Sequence, residues 1–366
     1  MRRPKLGVEG RIKTPLTGME GKMAKAYVDS LSLLDWQRTL GQAAQNVRSH
    51  CGQALARIDA AVNAHPERIE LRQYVDLLES IGQHCRPSML AWNVGLSVDL
   101  PLGTDLGRAI LGCKSLGTAL HWLCQYFPLL QDSALLRLDV EEDWTTLSYK
   151  ILDPTVWPRH EEAMYTLGIY ARLLKAAAPE VWNHVLVTVE AEHEQVGADH
   201  AAIVQAGVVY GGQANSLRFP TMAINAPLGL APACDPELLK KLSAKLSRKK
   251  RLTAMADRTQ QMIYHEMNEG CVNQEHIARE LGISSRTLRR RLAEEGHSFQ
   301  ELLDQCRMEF ASLEFRIRRK LSLSDMALRL GYSEHSTFSR AFARWCGMAP
   351  QEYRRCVGLS GGQPIA

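Results

Sequence analysis

Two short groups of arginine, serine and histidine near the C-terminal end have the chemistry to contact nucleic acid. The first group is Ser285, Arg286, Arg289 and Arg290, and the second is His335, Ser336, Ser339 and Arg340. A guanidinium can form two parallel hydrogen bonds with O6 and N7 of guanine, while hydroxyls and imidazoles reach base edges or phosphates. Within each group the spacing places all four side chains on one face of a helix. These residue types in this pattern indicate contact with double-stranded DNA.

Each group lies on the second helix of a unit made of a short helix, a glycine turn and another helix. The predicted helices are 273–281 and 285–295 in the first unit, and 324–330 and 334–345 in the second. The residues predicted to build the turns and the packed inner faces are Ala278, Gly282, Leu288, Leu292, Ala327, Gly331, Phe338 and Phe342. The alanines let two helices cross closely, and the glycines supply the left-handed backbone that reverses the chain. The Leu and Phe pairs, four residues apart, turn the inner face toward the first helix.

The charge distribution also separates the two parts of the chain. From residue 240 onward there are 23 Lys and Arg against 14 Asp and Glu, whereas the preceding part has 21 against 26. Such an asymmetry is typical of a basic nucleic-acid module joined to a mildly acidic domain. Lys249 and Lys250, near the junction, are expected to act, if at all, on phosphates and to strengthen binding to any sequence.

The part before residue 233 mixes helices and strands. Helical periodicity covers residues 24–84, 115–126 and 161–178. Alternating apolar residues predict a hairpin over 135–151 and strands over 184–190 and 215–224, and Pro220 predicts that the last strand lies at a sheet edge. The fold class is therefore an α+β N-terminal domain followed by an all-α C-terminal domain with two helix-turn-helix units.

One stretch of the C-terminal part resembles a known family. Residues 327–354, ALRLGYSEHSTFSRAFARWCGMAPQEYR, are similar to the signature of the AraC/XylS family of bacterial transcription regulators. The resemblance extends over residues 260–355, and GTAL at 117–120 with LLQD at 129–132 resembles the arabinose-binding-type sensor of one subgroup. The resemblance to the AraC/XylS family implies that the eight polar residues named above contact DNA bases and recognise the sequence. Arg286 and His335 occupy positions where other members of the family often carry different residues. The operator sequence that those members bind therefore cannot be assigned to this chain.

The resemblance also implies an organisation and a set of partners. The expected segments are a flexible lead at 1–24, an effector-sensing and dimerisation domain at 25–232, a linker at 233–250, the DNA-binding domain at 251–356 and a flexible tail at 357–366. The expected partners are promoter DNA, RNA polymerase, a small-molecule effector and a second copy of the chain in a homodimer. Transcription activation is the implied output. A long helix over 301–320 would set the two recognition helices about 10 base pairs apart on DNA.

Enzymes and architectural DNA-binding proteins are the alternatives to this interpretation. The chain lacks a Gly-rich phosphate loop, a Gly-x-Ser-x-Gly elbow, a His-Glu-x-x-His pair and a Pro-Cys-His-Arg methyl acceptor, so no catalytic residue, cofactor or metal is expected. A DNA-binding co-regulator or architectural protein without a ligand stays the alternative. With neither a secretory signal nor an apolar run of membrane length, the cytoplasm is the expected location.

Two sets of side chains each have two possible roles, one in binding a ligand and one in ordinary packing. The pairs His84 with Cys85 and His193 with His200 could ligate haem or a metal, although isolated histidines are more often surface or core residues. Five tryptophans could line a ligand pocket, although core packing is the more common role. They are Trp92, Trp122, Trp144, Trp157 and Trp182.

Overall fold

The structure is a computed structural model, and it describes most of the chain between residues 25 and 359. The described residues are 25–359 except 47–49, 65–66, 85–88, 99–103, 194–203, 205, 229–234, 270–271 and 319–320. The lead predicted for 1–24 lies outside them. The last helix ends at Leu359, so helix occupies the first three residues of the predicted tail, and the rest of that tail lies outside the described residues.

The N-terminal part contains seven α-helices and seven strands within the described residues. The helices are α1 (Leu31–Asn46), α2 (His50–Ala64), α3 (Leu71–His84), α4 (Leu90–Ser97), α5 (Asp105–Leu111), α6 (Leu116–Tyr126) and α7 (His160–Ala177). The strands are β1 (Tyr27–Asp29), β2 (Arg68–Glu70), β3 (Ala134–Val140), β4 (Trp144–Ile151), β5 (Leu186–Thr188), β6 (Val208–Val209) and β7 (Asn215–Pro220). Strands β1 and β2 pair with each other, and the other five form a sheet in the order β3-β4-β7-β5-β6.

Three sequence expectations for this part need correction. The segment 24–84 is not helical throughout, because β1, near its start, pairs as an antiparallel ribbon with β2, which lies between α2 and α3. The strand expected over 184–190 is shorter and comprises only Leu186–Thr188 (β5), because a 3-10 helix occupies Pro179–His184. Strand β7 lies at the centre of the sheet rather than at an edge. Pro220 is tolerated there because it is the last residue of the strand, where its missing N–H interrupts no further pairing.

The C-terminal part is helical in all of its described elements. The helices are α8 (Pro236–Leu252), α9 (Met255–Glu269), α10 (Gln274–Glu280), α11 (Ser285–Glu294), α12 (Phe299–Ile317), α13 (Leu323–Arg329), α14 (His335–Cys346) and α15 (Pro350–Leu359). The two predicted units are α10–α11 and α13–α14, and α12 is the long helix between them. The predicted fold class, α+β followed by an all-α domain with two helix-turn-helix units, is confirmed.

Helix α8 is attached to the N-terminal core. Leu242 and Leu246 are buried in the same apolar cluster as the sheet and helices α1 to α7. Lys241 and Lys245 both lie 2.8 Å from the carboxylate of Asp105 and hold its pKa well below the ordinary value. Part of the positive charge that the sequence assigned to nucleic-acid attraction is therefore used to dock this helix.

Lys249, expected to act on phosphates if at all, makes its contacts within the protein. Its ammonium group is half-buried, pairs with the carboxylate of Asp132 and donates to the backbone carbonyl of Pro128. Burial lowers the pKa of Lys249, although Asp132 opposes that effect. Lys250, the neighbouring residue, is exposed.

Helices α4 and α7 cross at two glycines that leave no room for a side chain. A Cβ atom on Gly95 would lie 2.2 Å from the carbonyl oxygen of Tyr165, and one on Gly168 would lie 2.5 Å from that of Trp92. Both obstacles are backbone atoms, so they can be relieved only by moving one helix. The close crossing fixes the position of α7, whose inner face lines the large cavity described below.

We expect Gly168→Ala to lower the stability of the protein by about 1 to 3 kcal/mol, the usual cost of overpacking. Helix propensity alone predicts the opposite sign, because Ala is favoured over Gly by about 1 kcal/mol inside a helix. Urea unfolding followed by circular dichroism measures the difference. A variant as stable as the wild type, or more stable, would show that the two helices can separate freely.

Candidate functional site

The two helix-turn-helix units have the same turn. Gly282 and Gly331 adopt φ angles of 73° and 77°, in the left-handed region that favours glycine. In each unit the residue after the glycine donates its N–H to the carbonyl of the buried alanine: Ile283 to Ala278 at 3.0 Å, and Tyr332 to Ala327 at 2.9 Å. This is the Schellman arrangement that ends a helix and redirects the chain.

The second helix of each unit is held by its apolar face. Leu288 and Leu292 on α11 and Phe338 and Phe342 on α14 are all completely buried. Phe342 makes edge contacts with Phe338, Tyr353 and Phe315, the last of these on α12. Ser284 caps α11 by accepting from the N–H of Thr287. The inner faces are thereby fixed, and the polar residues are turned outward.

The outer face of α11 is strongly basic. Arg286, Arg289 and Arg290 are exposed, and Ser285 is half-buried at the first position of the helix. Arg290 pairs with Glu294 at 3.2 Å, one turn later on the same exposed face. Exposed pairs of this kind contribute little to stability, so this contact leaves the guanidinium available to a stronger acceptor.

The outer face of α14 is less basic. His335, Ser336 and Arg340 are exposed, whereas Ser339 is half-buried and donates to the backbone carbonyl of His335 within the helix. The hydroxyl of Ser336 donates to the carboxylate of Glu334. Arg340 is thus the one arginine among the four predicted residues of this helix.

A large cavity lies inside the N-terminal part. Its volume is about 1130 Å³, and its wall is mostly apolar, with contributions from α1, α5, α6 and α7. None of the five tryptophans lines it. Trp92 is instead buried in the core against Trp182. Of the histidine pairs considered as metal ligands, His193 is exposed and packs on Tyr210, while Cys85 and His200 lie outside the described residues.

The inner end of the cavity is polar. Glu162 accepts from the hydroxyls of Tyr149 at 2.7 Å and Thr166 at 3.0 Å, both through Oε1. Tyr149 in turn accepts from the side-chain amide of Gln131. The other carboxyl oxygen of Glu162 and the hydroxyl of Tyr170 are buried and have no hydrogen-bond partner among the described residues. Buried polar atoms without partners are rare and call for an explanation.

Three acidic side chains are buried together beside this end of the cavity. Burial raises the pKa of Glu161 to about 7, and it raises that of Glu162 to about 7 as well. Burial, together with the nearby charge of Glu161, raises the pKa of Glu79 to about 8. Glu79 accepts from the backbone N–H of Glu161 at 2.6 Å, so the cluster is tied to the start of α7.

The sequence analysis did not single out Glu162 or Tyr170. A usable signal was present, because Glu162 occupies the same helical face as the apolar and aromatic residues Tyr165 and Ile169. A carboxylate on the inward face of a buried helix is unusual enough to mark a site. Periodicity alone could not reveal that a cavity adjoins it.

Family models match both parts of the chain. The arabinose-binding domain found at the N-terminus of AraC transcription regulators matches residues 52–228, and a helix-turn-helix domain matches residues 277–356. The chain belongs to the AraC/XylS family. The matched families and relatives are transcription regulators rather than enzymes, as the sequence predicts.

Individual relatives match this AraC/XylS-family chain over about a quarter of its length. An uncharacterized HTH-type transcriptional regulator of Mycobacterium tuberculosis is 51% identical over 79 residues, which are 22% of this chain and 23% of that protein. The ornithine utilization regulator of Pseudomonas aeruginosa is 42% identical over 80 residues, 22% and 23% of the two chains. VirS of M. tuberculosis is 41% identical over 92 residues, 25% and 27%. The match therefore spans about a quarter of each relative.

Solved structures of regulators also align with this family member. The crystal structure of the transcriptional regulator CdpR from P. aeruginosa aligns over 88% of this chain and 98% of its own, with 21% identity and a TM-score of 0.38. The C-terminal domain of AraT from Geobacillus stearothermophilus covers 29% of this chain and 88% of its own, with 34% identity and a TM-score of 0.26. None of the described helices has the length and apolar character needed to cross a membrane.

In this AraC/XylS-family chain the sheet and the DNA-binding helices are in direct contact. Arg318, at the end of α12, donates to the backbone carbonyls of Gly211 and Gly212 and to the carboxylate of Glu314. Arg329 on α13 binds the same carboxylate at 2.9 Å and the side chain of Gln213 at 3.2 Å. These contacts fix the second helix-turn-helix unit to the loop before β7.

A buried ion cluster lies on the sheet beneath this contact. Arg159 binds both carboxylate oxygens of Glu190, at 2.8 and 2.9 Å, and Lys150 lies 3.6 Å from the same group. Burial opposes ionisation of Glu190, yet Arg159 and Lys150 hold its pKa below the ordinary value. The Lys150 ammonium also lies 5.7 Å from the ring centre of Phe310 on α12. The sheet thus presents charge and apolar surface to α12.

The acidic cluster predicts how stability depends on pH. The pKa of Glu79 is raised on folding, so its contribution to stability is greatest below the unfolded value near 4.5 and is lost as pH rises toward about 8. We expect Glu79→Gln, which keeps the oxygen acceptor, to match the wild type at pH 5 and to exceed its stability by at least about 1 kcal/mol at pH 8.5. Urea unfolding at both pH values measures this.

Asp76→Asn provides the control, because it removes an exposed carboxyl from the same helix. Its stability difference from the wild type should be the same at both pH values. Equal pH dependence of Glu79→Gln and the wild type would mean that Glu79 ionises as easily in the folded chain as in the unfolded one.

The contact between α12 and the sheet predicts a local effect on hydrogen exchange. In Arg318→Ala, backbone amides near 211–215 should exchange about tenfold faster, since hydrogen bonds from a charged donor are lost. Helix α11 should be unchanged. Arg344→Ala is the matched control, because it removes an ion pair to Asp304 on another side of α12. Unchanged exchange near 211–215 in Arg318→Ala would show that this arginine does not hold the contact.

Proposed function

We propose that the protein is a DNA-binding transcription regulator that responds to a small-molecule effector and activates its promoter. The observation that carries the proposal is the presence of two helices, α11 and α14, with buried apolar faces and exposed polar faces, joined by one rigid helix. Membership of the AraC/XylS family supports the same function. The cavity of about 1130 Å³ favours a ligand sensor over an architectural protein, because its volume is slightly above the range usual for ligand sites and is large enough to enclose a small molecule.

The eight polar residues predicted from the sequence are the proposed contacts to DNA. Arg286, Arg289 and Arg290 are the proposed base and phosphate contacts of α11, with Ser285 at its start. On α14 the exposed His335, Ser336 and Arg340 take this role, and Ser339 would have to exchange its internal hydrogen bond for a contact to DNA.

The organisation we propose keeps the sensing and dimerisation domain at 25–232, the linker at 233–250 and the DNA-binding domain at 251–356. The attachment of α8 to the first core supports a linker that moves with the sensor. RNA polymerase and a second copy of the chain are partners proposed on the family resemblance.

The proposal leads to a test of base reading with the full chain. A preferred duplex is first enriched from a random-sequence pool, and footprints on it should show two protected segments about 10 base pairs apart. Arg290→Ala and Arg340→Ala should each weaken binding to this duplex by about 1 to 3 kcal/mol and relax preference at one or two base pairs. Their binding to a shuffled duplex should change much less.

Arg137→Ala is the matched control, because it removes one exposed arginine from β3 of the N-terminal domain. It should leave the ratio between the two duplexes unaltered. If Arg340→Ala weakened binding to both duplexes equally, α14 would contact phosphates instead of bases. If the wild-type full chain bound neither duplex at low salt, the proposed function itself would be wrong.

A further inference from the structure

The polar end of the large cavity indicates the chemical class of its ligand, which the volume of the cavity does not. Glu162 is 1% exposed and Tyr170 is 4% exposed, and both are on α7 among the residues that line the cavity. In the part of the chain that the structure describes, Glu162 Oε2 and the Tyr170 hydroxyl have no hydrogen-bond partner. Burial, together with the nearby Cys124 and Glu162, raises the pKa of Tyr170, so the charge of Glu162 reaches this hydroxyl although the two residues are two turns apart on α7.

We infer that the effector is an amine with an apolar body, whose ammonium group binds Glu162 Oε2 and the Tyr170 hydroxyl at the inner end of this cavity. The inference rests on the proposal that the cavity is the effector site. Among the described residues no hydrogen bond reaches either atom, and both hydrogen bonds to Glu162 end on its other oxygen, Oε1.

The charges around Glu162 favour a cation over a neutral donor. Within the described part of the chain, its carboxylate makes no ion pair, and the nearby cation Arg159 is bound through two hydrogen bonds to Glu190. Burying a carboxylate without a positive partner is costly, so a cationic head would be bound more strongly than a hydroxyl of the same shape.

The remainder of the cavity determines the other half of the ligand. Most of its remaining wall is apolar, with side chains such as Leu106, Ile110, Leu123 and Phe127, and the charged residues Asp35, Arg38, Arg172 and Lys175 also line it. Such a wall stabilises a ligand body in proportion to the apolar area removed from water. A small hydrophilic amine would leave most of this surface without a partner.

The test compares three probes that share one apolar body: 4-phenylbutylamine, 4-phenylbutan-1-ol and 4-phenylbutyrate. Binding to the full-length protein is measured by equilibrium dialysis at pH 7.5. The amine should bind about tenfold more tightly than the alcohol, since its hydrogen bonds are charge-assisted, and the carboxylate should bind most weakly. If the alcohol or the carboxylate bound as tightly as the amine, or if none of the three bound, the inference would be overturned.

Two substitutions locate the amine. Glu162→Gln should reduce the affinity for the amine to that for the alcohol, and Tyr170→Phe should reduce it about threefold to tenfold. Glu161→Gln is the matched control, because the neighbouring carboxylate does not line the cavity, and it should keep the preference for the amine. Equal loss in Glu161→Gln and Glu162→Gln would contradict the assigned contact. The comparison of probes on the wild type decides the ligand class even if a variant fails to fold.

DNA binding by the same preparation separates this inference from the proposed function. An amine that binds in the cavity and changes the affinity for the preferred duplex supports both. An amine that binds, with Glu162 required, while the affinity for DNA is constant supports the ligand class and contradicts effector control of DNA binding.

Discussion

The structure depends on one helix, α12, which packs against three neighbouring elements at once. Twelve of the nineteen residues of α12 are buried, which is too many for a helix with a single apolar face. Its Phe315 packs on both phenylalanines of α14, its Phe310 faces Lys150 of the sheet, and its Ser298–Glu301 capping box fixes the end next to α11. Any rotation of α12 would disturb all three contacts together, so the two recognition helices and the sheet are held in one mutual arrangement.

Strand β4 links this arrangement to the cavity. Because successive side chains of a strand point to opposite faces, Tyr149 hydrogen-bonds to Glu162 at the cavity, while Lys150 lies between Glu190 and Phe310 beneath α12. A ligand that altered the hydrogen bonds of Glu162 would act on a residue adjacent to the docking surface.

Electrostatics has two separate uses in this chain. On α11 the arginines stand exposed, where they add to the attraction of a polyanion. On α8 the lysines are paired with Asp105 and Asp132 and attach the linker to the first core. Counting charges along the sequence treats both sets alike, because a count contains no information about which acid lies within a few ångströms of which base.

The sequence by itself determined the features whose causes are local. The glycine turns at Gly282 and Gly331, the inward Leu and Phe pairs and the hairpin over β3 and β4 follow from φ preferences and hydrophobic periodicity, which act within a few residues. Only the tertiary structure decided the central position of β7, the partner of Lys249 and the unpaired atoms of Glu162 and Tyr170. These depend on contacts between segments far apart in the chain, as with Glu162 and Gln131 meeting around Tyr149. Local periodicity reports whether a side chain is buried, but the fold alone decides what it is buried against.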